Sequence, residues 1–150
     1  MHFLAFGFGL GLLPRAPGTW GSLPGLLFYW LLAPFGLSLY LVITALMALA
    51  GIWICGESSR RLGVHDHSGI VWDEIVGMML VMAVAPDGFL GYLVAFILFR
   101  TLDIWKPWPI RELDHSLHGG LGIMLDDIVA AVYAAAALLL IDKVFPVLVI

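Results

Sequence analysis

Five carboxylates stand inside or against apolar runs of this 150-residue sequence, where burial penalises charge. Asp73 and Glu74 open the run "IVGMMLVMAV", Asp103 lies between Leu102 and Ile104, and Asp126 and Asp127 interrupt "HGGLGIMLDDIVAAVYAAAALLLI". An ordinary role covers some of them. Acids in a first helical turn gain about 0.3–1 kcal/mol from the helix dipole, which suits Asp73 and Glu74. Asp126 and Asp127 lie too far past Gly119 and Gly120 for capping, and adjacent acids repel each other, so a bound cation is expected there. Carboxylates gathered at one membrane face suit a hard ion: Mg²⁺ takes one or two directly, keeps several waters and is completed by phosphate oxygens.

Cations accompany the acids. On a continuing helix Arg100, Asp103 and Lys106 fall three residues apart on roughly one face, and Pro107 and Pro109 end that helix. A boundary ion-pair ladder with snorkelling Arg and Lys fits Arg100 better than Asp103. In "LLPRAPGTWGSLPG" (12–25), Ser22 is expected to cap a helix whose first turn holds Pro24. With Thr19 and Arg15 beside it, such a helix start is either an ordinary cap or an anion site. Zinc through His65, His67 or His118 is the other metal reading, without HExxH spacing, and Asp66 reads with them as a loop residue. The single Cys55 excludes a disulfide framework and a CxxC metal site, and argues against thiolate zinc. Gly7, Gly9 and Gly11 follow no strand and make no dinucleotide fingerprint.

The elements that must position these groups are membrane helices. The sequence is 62% hydrophobic and 12% charged, against roughly 25% charged residues in ordinary soluble domains. Mean hydropathy is +1.03. A net charge of −4 argues against nucleic acid, and the N-terminus lacks the positive region of a secretory signal. The length suits a single domain over residues 1–150.

Apolar regions run over Leu23–Gly56, Ile75–Phe99 and Leu121–Ile141, the first broken at Pro34-Phe35-Gly36 and the second at Pro86-Asp87-Gly88. Reading each broken region as a helical hairpin predicts an all-α, polytopic protein of about five helices. Residues 14–22, 57–74 and 100–120 then share one face. That face holds Arg15, Arg60, Arg61, Arg100, Lys106 and Arg111, leaving Lys143 opposite, so it is expected to be cytoplasmic.

Four stretches carry a family resemblance: "LLPRAPGTWGS" (12–22), "HDHSGIVWDEIVG" (65–77), "FRTLDIWKPWPI" (99–110) and "HGGLGIMLDDIVAAVYA" (118–134). In that order they resemble the phosphatidylglycerophosphatase A family, with Leu102 where an aromatic is common and Ala131 where Gly is common. The resemblance implies a Mg²⁺-dependent phosphatase of the bacterial inner membrane, acting on phosphatidylglycerophosphate. Its acidic positions carry over to Asp73, Glu74, Asp103, Asp126 and Asp127, its loop to Arg15, Thr19 and Ser22, and its basic motif to Lys106. On this reading Asp73, Glu74, Asp103 and Asp127 hold the metal, while Lys106, Arg15, Arg100 and the Thr19–Ser22 loop hold phosphate, with the lipid tails between helices. Asp126 acts as a base or orients its neighbour. Two rivals stand beside it: a small ion- or proton-coupled transporter using the same acids, and a non-catalytic subunit binding anionic lipid.

Overall fold

The computed structural model describes residues 1–65 and 67–146, so Asp66 lies outside the described residues. They form helices and no strand: α1 (His2–Ala5), α2 (Pro17–Leu32), α3 (Leu37–Leu62), α4 (Trp72–Met82), α5 (Phe89–Trp105), α6 (Ile110–Ser116) and α7 (Gly119–Val144). The sequence led us to expect about five helices; the described residues form seven α-helices. The extra two, α1 and α6, have four and seven residues, too short for periodicity to mark.

Helix starts and stops follow local chemistry. Pro17 occupies the first turn of α2, where its missing N–H costs nothing. The chain reverses between α2 and α3 and again before α5, with Gly36 and Gly88 at φ +94° and +116°. The helices joined by these turns are not each other's main partners. α2 packs chiefly on α4, α3 on α7, and both α4 and α5 on α7.

The centre is α4. Trp72, Ile75, Val76, Met78, Met79, Val81 and Met82 bury on all its faces, as expected for a helix apolar all round. On one side it meets Tyr40, Ile54 and Met124, and on the other Phe99, Ala130 and Ala134. Two hydrogen bonds tie α3 to it: Tyr40 Oη donates to the Met79 carbonyl at 2.6 Å, and Trp72 Nε1 to the Met47 carbonyl at 3.0 Å. Small residues on α7 let the helices approach closely, the packing mode that holds helices together where water is absent.

The polarity is inverted. Trp30, Leu31, Leu46, Leu49 and Trp53 are exposed, whereas Asp73, Asp103, Asp126 and Asp127 are buried. α3 and α7 are each long and apolar enough to cross a membrane. The ends of α2, α4 and α5 and the start of α7 converge at one end of the bundle, and the acids gather there.

Candidate active site

Four helices and the loops beside them wall a cavity of about 360 Å³. The first turn of α2 contributes Pro17, Gly18 and Thr19, and the loop before α4 contributes Ser68 and Ile70. α4 brings Asp73 and Glu74, α5 brings Arg100 and Asp103 with Lys106 just past its end, and α7 brings Asp126 and Asp127. Five carboxylates thus face two cations in one cleft, and the negative excess calls for a bound cation.

The two cations are held in place. Arg100 Nη1 lies 2.6 Å from Asp103 Oδ2 and 3.2 Å from Glu74 Oε1, joining α5 to α4. Lys106 Nζ lies 2.7 Å from Asp126 Oδ2 and 3.2 Å from Asp114 Oδ2, joining the end of α5 to α6 and α7. Burial alone would lower the Lys106 ammonium. The hydrogen bond and charge of Asp126, joined by Asp114, outweigh it and hold the group above the usual lysine range.

Asp127 stands differently from Asp126. Its side chain is buried, and Oδ2 makes no hydrogen bond among the described residues. It also belongs to two groups of acids whose oxygens all lie within 4.8 Å of one another: Asp73, Asp126 and Asp127, and Glu74, Asp103 and Asp127. A buried carboxylate oxygen without a partner is costly, and hard oxygen donors at this spacing fit Mg²⁺. Among the described residues neither group includes a histidine. His65 and His118 stack on each other at 5.2 Å, and His67 Nδ1 accepts the Gly69 N–H; among the described residues none of the three joins a group of ligand atoms close enough to share a metal ion.

Backbone conformation at the rim is unusual. Ala16 and Lys106, which line the cavity, both have positive φ, at +48° and +47°. Such strained positions cluster at functional sites. Gly18 is where α2 touches the ion pair: a Cβ there would overlap the Glu74 carboxylate and the Arg100 guanidinium.

The cavity brings together eight of the ten expected site residues: Thr19, Asp73, Glu74, Arg100, Asp103, Lys106, Asp126 and Asp127. Ser22 and Arg15 are elsewhere. α2 starts at Pro17 rather than at Ser22, so Ser22 is a buried mid-helix residue whose Oγ donates to the Gly18 carbonyl at 2.8 Å, and Pro24 lies inside the helix. The earlier proline was the stronger start signal. Arg15 is exposed on the loop before α2 and does not line the cavity. Two contributors were missed. Ser68 shows only as a hydroxyl in a loop, and Asp114, the second acid on Lys106, sits in "RELDH" with nothing in its spacing to mark it.

Fold and site together define an all-helical protein with a carboxylate-walled cavity at one end of its bundle. The family model of Phosphatidylglycerophosphatase A matches residues 3–142. Phosphatidylglycerophosphatase A of Escherichia coli (strain K12) is 44% identical over 146 residues, covering 97% of this chain and 85% of that one. Phosphatidylglycerophosphatase A of Haemophilus influenzae is 50% identical over 136 residues, covering 89% and 83%. No solved structure matches. The chain belongs to the phosphatidylglycerophosphatase A family, and is an enzyme of that family.

Proposed function

We propose that the protein is a Mg²⁺-dependent lipid phosphatase of the bacterial inner membrane, hydrolysing the terminal phosphomonoester of phosphatidylglycerophosphate to phosphatidylglycerol and phosphate. Residues 1–150 act as one polytopic membrane domain with its cavity on the cytoplasmic face, in keeping with the positive-inside bias. The observation that carries the reading is Asp127, whose buried oxygen lacks a hydrogen-bond partner where two groups of acids meet.

Asp73, Glu74, Asp103 and Asp127 hold the ion. Bound Mg²⁺ supplies charge neutralisation for the phosphomonoester and lowers the pKa of a coordinated water. In the reaction a water oxygen joins phosphorus in line, the bond from phosphorus to the glycerol oxygen breaks, and a proton passes to that oxygen. The Thr19 hydroxyl and the positive end of α2 face the phosphate oxygens. Arg100, held through Nη1 by Glu74 and Asp103, has N–H groups left to donate to the same oxygens. Lys106 keeps one N–H beyond those taken by Asp126 and Asp114, and holds positive charge beside the leaving oxygen. Asp126 orients Lys106. Exposed Arg15 draws the anionic headgroup toward the rim. The transporter reading has no comparable support, since the acids collect where helix ends meet.

The test is phosphate release from phosphatidylglycerophosphate by the detergent-purified protein, with Mg²⁺, with EDTA, and with Asp127→Asn. Release that needs Mg²⁺ and is lost in the variant is expected. A lipid-binding subunit would instead keep or tighten lipid binding in the variant, and a folded, lipid-supplied protein that releases no phosphate sinks the reading.

A further inference from the structure

α2 and α5 frame the cavity with opposite ends: α2 begins there with Pro17, Gly18 and Thr19, and α5 finishes there with Arg100, Asp103 and Lys106. Beyond the cavity they leave a groove of about 260 Å³ between them. Leu23, Leu26 and Trp30 form one wall, at the three- and four-residue spacing that shares a helix face. Phe89, Leu93 and Phe96 form the other, spaced in the same way. Behind them Leu26 packs against the buried cluster of Met78 and Phe99.

The groove starts beside the cavity and runs to Phe89, the first residue of α5. Leu23 lies one turn beyond Thr19, and Phe96 one turn before Arg100. Tyr92 lines it toward the far end, its ring 6.3 Å from that of Trp30 and 5.7 Å from that of Tyr29, with its hydroxyl 3.2 Å from Asp87 Oδ1. From Leu23 to Trp30 the wall runs for roughly 10 Å along the helix axis.

We propose that this groove holds one acyl chain of the lipid whose phosphate occupies the cavity. The proposal rests on the phosphatase reading and adds where the hydrocarbon goes. The polarity along α2 and α5 matches that of an amphiphile: hydroxyl, guanidinium and carboxylate at the helix ends, then only hydrocarbon and aromatic rings. Helices in hydrocarbon associate through close fit, so an apolar groove between two of them that begins at their polar ends suits a chain. The substrate then enters sideways from the bilayer, between α2 and α5, with its tails never leaving the hydrocarbon.

The experiment compares phosphate release from dioleoyl- and dihexanoyl-phosphatidylglycerophosphate in the intact protein and in Leu26→Trp and Leu93→Trp, which fill the groove from opposite walls. The kcat/KM preference for the long-chain lipid is expected to fall about tenfold in either variant, mostly through KM, as buried methylenes lose their contacts. Leu46→Trp, on the exposed side of α3, is expected to leave that preference unchanged. If one groove variant does not fold, the other carries the comparison. An unchanged preference overturns the proposal, and a shift in oligomeric state alongside it assigns the groove to a second copy of the chain. An equal loss on both lipids also overturns it, because that is a packing defect. If the intact protein releases no phosphate from either lipid, the phosphatase reading fails and takes this proposal with it; if it does and the preference holds, only the groove assignment fails.

Discussion

Lys106 Nζ lies 2.7 Å from Asp126 Oδ2, and this pair separates two aspartates that are adjacent in the chain. On a helix neighbouring side chains diverge by about 100°. Asp126 turns to the lysine at the end of α5, while Asp127 turns to the acids of α4 and α5 and keeps a buried oxygen without a hydrogen bond. The two share Asp73 as a neighbour, but only Asp126 pairs with the lysine and only Asp127 joins Glu74 and Asp103.

The two positions are therefore expected to respond differently to removal of charge. Asp127→Asn should lower kcat by about 100-fold or more, the scale seen when a group that stabilises transition-state charge is lost. It should leave the metal-free fold as stable as before or more so, because one member of a crowded group of buried acids is gone. Asp126→Asn should keep measurable turnover. Phosphate-release kinetics with thermal unfolding in EDTA decide this, and equal losses at both positions would show that the division is wrong.

Lys106→Met leaves Asp126 without its close cation. Breaking a largely buried pair from one side should cost on the order of 2 kcal/mol, below the figure for full burial because the lysine side chain is 23% exposed. Asp126→Asn added to it should recover part of that loss. A double-mutant cycle in denaturant measures the coupling, and strict additivity would falsify the pairing as an energetic unit.

Gly18→Ala tests how tightly α2 seats on the site. The added methyl meets the Glu74 carboxylate and the Arg100 guanidinium, so the pair must move. Activity is expected to fall at least about tenfold with little change in helix content, since small misplacements of positioning groups are expensive in rate. Near-normal kinetics would mean the Glu74–Arg100 pair needs no support from α2.

Removal of metal should be visible without any assay of turnover. An ion that binds only the folded protein adds about 2.7 kcal/mol at 100 times its dissociation constant. Mg²⁺ should raise the thermal midpoint of the intact protein, EDTA should reverse this, and Asp127→Asn should show little of it. A midpoint indifferent to Mg²⁺ in every form would remove the metal from the account.

The chemistry was legible because acids are rare in apolar sequence. Asp73, Glu74, Asp103, Asp126 and Asp127 stood out against their surroundings, and eight of ten expected residues line one cavity. Ser22 was misplaced because two prolines compete in one short stretch, and Pro17 starts the helix a full two turns before Pro24. Asp114 was invisible because an acid in a polar stretch carries no local anomaly; its meaning comes from Lys106, eight residues earlier, across the turn into α6.

By itself the sequence determined that the chain is helical, apolar outside and acidic at a few points, because those properties are set by composition, Pro and Gly breaks and the cost of charge in hydrocarbon. The tertiary structure alone decided which acid meets which cation. Lys106 reaches Asp126 across twenty residues, and α2 turns from its chain neighbour α3 to pack on α4. Such pairings depend on helix-packing geometry and on which small residues allow two backbones to approach, and neither leaves a periodic trace along the chain.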